Sequence, residues 1–126
     1  MKIKHLMVIK AIICIGFGIP MLLIPSKLMS LYGLTLDVNG IVMARLYGGA
    51  LIGTFFLTWF SKNDPGSITL IAAILYLFVY DCINFIVTLV ATIIGIMSTF
   101  GYSAVAIYLF FTIGYAYFQF FKRPAL

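Results

Sequence analysis

Four times along the chain a run long enough to cross a bilayer passes with almost no charge: residues 6–24, 41–60, 68–93 and 102–121. About 20 helical residues at about 1.5 Å each span the roughly 30 Å of membrane hydrocarbon. In lipid a crossing segment must satisfy its own backbone hydrogen bonds, which leaves helices or closed barrels as the available structures. Runs of this length predict helices. The expected fold is therefore all-α, a four-transmembrane-helix bundle in a single integral membrane domain over residues 1–126.

Composition supports that class. Hydrophobic residues make up 64% of the chain and charged residues 9%, against roughly 25% charged in soluble domains. The formal charge of +5 is then read as an orientation signal and not as a nucleic-acid footprint. Lys2, Lys4, Lys62, Lys122 and Arg123 flank the spans on the side of the termini, and Lys27 alone lies on the other. The positive-inside rule places both termini in the cytoplasm, with the protein multi-pass in the cell membrane. Lys2 and Lys4 ahead of an apolar run resemble a secretory signal, but no A-x-A-like site follows, so the first span is expected to stay.

Between the spans the chain carries recognisable punctuation. Pro25 ends the first span, Ser26 is a candidate cap, and residues 26–33 read as a short interfacial helix between the first and second spans, stopped at Gly33. Asp37 or Asn39 is a candidate cap for the second span, and Asp64 or Ser67 for the third. Pro20, inside the first span, predicts a kink. Lys10 lies about one turn inside the first span and reads as an anchor snorkelling to the headgroups.

Two polar positions are more deeply set. Arg45 interrupts the second span, and a buried cation there costs on the order of 2.5 to 3.5 kcal/mol, so it calls for a partner, a headgroup or a wet cavity. Asp81 is the single acid in any span; Asn84 and Thr88 follow at i+3 and i+7 on the same helical face. Pairing Arg45 with Asp81 is the natural proposal. Counted from the outer helix ends, Arg45 lies roughly 8 Å deep and Asp81 roughly 18 Å, a gap an extended arginine only just bridges. Asn84 or water is then a bridge. The alternatives are Arg45 reaching headgroups with Asp81 left uncharged, and pairing across a subunit interface.

The fourth span carries Tyr108, Phe111, Tyr115 and Phe118 along one face, a stripe read mainly as packing, with the Tyr108 hydroxyl able to join a polar cluster. Gly48, Gly49 and Gly53 are candidate helix-packing positions, the last two at small-xxx-small spacing. Cys14 and Cys82 form no CxxC pair and read as free buried thiols. His5 has no companion ligands, so neither a metal nor any other cofactor is expected. No serine-nucleophile or nucleotide-binding pattern is present either.

The stretches Pro25 with Leu31-Tyr32-Gly33-Leu34, then Arg45-Leu46-Tyr47-Gly48-Gly49-Ala50, then Asp81 resemble a family of small, uncharacterised bacterial four-helix membrane proteins. The resemblance covers nearly the whole chain and implies topology more than activity. Size and span count are also similar to small multidrug-resistance transporters, which carry an essential glutamate in their first helix; the first span here has no acid. Two functions are thus expected to compete. One is a non-enzymatic bundle whose Arg45, Asp81, Asn84, Thr88 and Tyr108 form a polar cluster serving structural specificity, in a homo-oligomer or as an accessory to a larger membrane complex. The other is a small transporter or binder of a lipophilic or anionic molecule that uses Arg45 and Asp81.

Overall fold

A computed structural model describes residues 2–63 and 67–121. The order is α1 (Ile3–Leu23), α2 (Pro25–Leu31), α3 (Val38–Ser61), α4 (Ile68–Ile93) and α5 (Gly101–Ala116), which continues into a π-helical turn over Tyr117–Phe121. Four of these segments, with α5 and its π turn counted together, are long and apolar enough to cross a membrane. The Asp64 cap and the flanking Lys122 and Arg123 of the sequence reading lie outside the described residues.

Local chemistry accounts for most of the helix ends. Asp37 accepts the Gly40 N–H at 2.7 Å and starts α3; Ser67 accepts the Leu70 N–H at 3.0 Å and starts α4. Each satisfies one of the donors that a first helical turn leaves unpaired. Ser26 does not cap α2: Ile24 holds the cap position without a side-chain bond, and Pro25, lacking an N–H to satisfy, occupies the first turn. The end of α2 is a Schellman motif, with Leu34 N–H donating to the Met29 carbonyl and Gly33 N–H to that of Ser30. That motif requires a left-handed residue, and Gly33 supplies it at φ 77°.

The long helices form two close pairs, α1 with α3 and α4 with α5, while α3 touches α4 only slightly. The first pair is tight because small residues face each other. Gly18 and Gly48 meet so closely that a Cβ on Gly48 would lie 2.9 Å from both the Gly18 carbonyl oxygen and the Leu22 nitrogen. Ala11 and Cys14 continue the buried stripe on α1, and Ala44 and Leu51 continue it on α3.

The two pairs are joined differently along their length. Toward the chain termini, Leu6, Met7, Leu70, Ala73, Ile74, Leu77, Phe111, Tyr115 and Phe118 make a solid core from α1, α4 and the fourth long segment. Leu6 seats against Gly114, whose missing side chain leaves the room: a Cβ there would stand 2.9 Å from Leu6 Cδ2. Toward the opposite end, α2 and the turn after α4 are clasped by Ser98, whose N–H donates to the Tyr32 carbonyl at 2.7 Å and whose hydroxyl donates to the Leu31 carbonyl at 3.1 Å. Tyr32 and Phe100 pack ring on ring beside that clasp, with centroids 5.0 Å apart. Between core and clasp, polar side chains bridge the pairs beside a cavity.

Candidate functional site

At the level where the solid core stops, Lys10 donates to Asp81 Oδ1 at 2.5 Å. Both side chains are almost wholly out of solvent, 3% and 0% exposed. This is the one ion pair among the described residues. It corrects two expectations at once. Lys10 does not snorkel to an end of the bundle, and Arg45 does not pair with Asp81: Arg45 is exposed on the outer side of α3. The reason is register. Lys10 stands seven residues into α1 and Asp81 thirteen into α4, an offset of about 9 Å that the lysine's own length helps to close. Counting depth from the helix ends says nothing of which way a side chain faces, and Arg45 faces outward.

The ammonium is also caged by rings. Lys10 Nζ lies 4.6 Å from the Phe111 centroid, 4.8 Å from Tyr80 and 5.8 Å from Tyr108, within the range at which a ring quadrupole attracts a cation. Carboxylate and aromatic faces together replace the hydration a buried ammonium gives up. Asp81 Oδ2 has no hydrogen-bond partner among the described residues.

Beside the pair sits a tyrosine triad that ties α3 to the α4 and α5 pair. The Tyr47 hydroxyl lies 2.6 Å from that of Tyr80 and 2.7 Å from that of Tyr108. A second link of this kind joins Thr54 to Tyr76 at 3.0 Å. Tyr108 was legible as a cluster member from the fourth-span stripe. Nothing in the sequence marks Tyr47 and Tyr80 as partners of Tyr108, although each adjoins a distinctive residue: Tyr47 precedes Gly48, and Tyr80 precedes Asp81.

From this polar floor a cavity of about 270 Å³ extends to the Ser98 clasp. Its walls are largely apolar, including Phe17, Met21, Leu51 and Ile107, and it ends under Met29, Tyr32, Leu34 and Met97. Its polar lining consists chiefly of Lys10, Tyr47, Tyr80, Tyr108, Asn84 and Thr88. Asn84 Nδ2 donates to the Tyr80 carbonyl at 2.8 Å, and the Thr88 hydroxyl donates to the Asn84 carbonyl at 2.7 Å. Of the residues expected to form a cluster, the structure therefore brings Asn84, Thr88 and Tyr108 to one cavity. Asp81 supports it from behind through Lys10, and Arg45 is no part of it.

The glycines divide as well. Gly48 is buried against α1, whereas a Cβ on Gly49 or Gly53 would meet nothing within 4 Å. Within this chain those two are not packing positions, because the small residues of α1 face the turn that carries Gly48. The aromatic stripe is core: Phe111 and Tyr115 are 0% exposed and Phe118 is 5%. Cys14 and Cys82 are free thiols, the first buried and the second half-buried.

Comparison with protein families, with curated proteins and with solved structures finds no match.

Proposed function

We propose that this chain is a non-enzymatic integral membrane protein that holds one small lipophilic molecule between its two helix pairs. The cavity carries the reading: a partly open, largely apolar volume of about 270 Å³ that ends in a compact set of polar groups is the usual form of a small-molecule site. Since a cavity of about 150 Å³ takes benzene, this one suits a ligand of roughly a dozen heavy atoms. Membrane insertion is part of the proposal. Its support is the four long apolar helices and the outward-facing apolar side chains along them, such as Met43, Leu46, Phe60, Ile83 and Ile113. Arg45, two turns from the loop end of α3, then reaches headgroups by snorkelling, and both termini face the cytoplasm by the positive-inside rule.

The test is chemical extraction. Protein purified from native membranes should carry a compound of that size, enriched over Ala104→Phe, which places a ring in the cavity wall. Equal extracts from the two proteins, both folded by circular dichroism, would refute the reading.

A second reading, structural specificity, rests on its own observation. The Lys10 to Asp81 pair joins α1 to α4, helices of different pairs, through two nearly unexposed charges. One partner per charge selects one register of one pair against the other, the best-attested role of a buried polar contact. The two readings are compatible, since the pair also sets the cavity floor.

A further inference from the structure

We infer that the molecule held in the cavity is neutral and enters polar end first, and that this end is a hydrogen-bond acceptor of the carbonyl type. The inference rests on the binding site proposed above and adds the chemistry of its ligand.

Proton counting carries it. Among the described residues the tyrosine triad bonds only within itself, through the two contacts of Tyr47. Three hydroxyls bring three protons, and two contacts use two. Whichever way the chain of bonds runs, one phenolic proton has no acceptor. The Asn84 amide is neutral in this count: one of its two N–H groups is spent on the Tyr80 carbonyl, and the other is matched by its own side-chain oxygen, an equally idle acceptor. Lys10 spends one N–H on Asp81 and its ammonium is caged by the Phe111, Tyr80 and Tyr108 rings, so it is left out of the count. Thr88, by contrast, has already given its single proton to the backbone.

The triad therefore offers the cavity one proton that its own contacts do not absorb. A buried donor without an acceptor is costlier than an oxygen with one lone pair idle. An oxygen that only accepts resolves the imbalance; an alcohol or amine brings protons of its own.

Charge then separates a ketone from a carboxylate. Among the described residues Lys10 is the only charged one lining the cavity, and Asp81, outside the lining, already balances it. A carboxylate would leave one net negative charge in a low-dielectric interior, and an alkylammonium one net positive charge. A neutral carbonyl leaves none. Orientation follows from the balance of the walls: the far end is Met29, Leu34 and Met97 with the single hydroxyl of Tyr32, whereas the other polar groups cluster at the floor.

Four probes of one chain length separate the possibilities: methyl nonyl ketone, undecane, undecylamine and undecanoate. Each is titrated into wild-type protein in lipid nanodiscs, with thermal stability and the infrared stretch of an isotopically labelled ketone carbonyl as readouts. The expected result is tightest binding of the ketone, about fivefold to tenfold over undecane, the worth of one hydrogen bond. Its carbonyl stretch should fall below the value in protein-free lipid. Both effects should vanish in Ala104→Phe and in Ala44→Phe, two separate fillings of the wall. The ketone's advantage over undecane should shrink in the triple change Tyr47→Phe, Tyr80→Phe, Tyr108→Phe.

If undecane binds as well as the ketone, or undecylamine or undecanoate binds best, the carbonyl inference is overturned while the cavity remains a binding site. If none of the four stabilises wild type more than it stabilises the filled variants, the inference and the underlying binding site fall together.

Discussion

Lys10 shows how much one side chain's depth matters. Its ammonium is 2.5 Å from Asp81 and 2% of the residue is exposed, so removing either partner strands the other charge. Lys10→Met or Asp81→Asn should each lower stability by about 3 to 5 kcal/mol, since breaking a buried pair leaves an uncompensated ion. The double change should cost less than the sum of the singles by more than about 1 kcal/mol, the mark of a direct interaction. Thermal unfolding in detergent measures all three. Arg45→Ala is the control: exposed and outside any ion pair of the described residues, it should move stability by less than about 0.5 kcal/mol. The inward direction of Asp81 was legible from its sequence, because an acid in the middle of an apolar run has nowhere else to go. Its partner was not, since Lys10 reads as an anchor until the offset between α1 and α4 is known.

At the scale of the helix, α3 carries adjacent glycines that have opposite surroundings. Gly48 abuts the backbone of α1 and Gly49 abuts nothing. Gly48→Ala should therefore force the pair apart and cost about 1 to 3 kcal/mol as an overpacked contact. Gly49→Ala should be neutral or stabilise by up to about 1 kcal/mol, because alanine gives up less backbone freedom in a helix. Equal effects at the two sites would mean that α1 and α3 do not pack on this face. The spacing of Gly49 and Gly53 marks a face of α3 that meets nothing within this chain. Spacing along one helix says that a face is small; it takes the partner, here Gly18, to say which face is used. The caps were easier to read because they are local: Asp37 and Ser67 act on an N–H three residues away. The clasp at Gly33 is local in its turn and tertiary in its contact. A Cβ at Gly33 would sit 3.0 Å from Ser98 and at positive φ, so Gly33→Ala should destabilise by about 1 to 2 kcal/mol in the same unfolding assay.

For the molecule as a whole, the two helix pairs are sealed by apolar packing at one end and by the Ser98 clasp at the other, with the cavity between. The orientation proposed from charge has a direct check. A cysteine replacing Lys27 should react with a membrane-impermeant thiol reagent in intact cells, and one replacing Asn63 should react only after the membrane is opened; the reverse pattern would invert the topology. Cys14 and Cys82, lying within α1 and α4, should stay unreactive in both settings.

Read alone, the order of residues established the all-helical class, the number of long apolar segments, the stop at Gly33 and the inward face of Asp81. These follow from hydropathy, periodicity and contacts within a few residues, which any chain segment carries with it. Which cation meets Asp81, which glycine meets a neighbouring backbone, and the existence of a cavity floored by three tyrosines depend on how far one helix slides along another. That displacement is set by the summed packing of whole faces, and no short stretch of the chain encodes it.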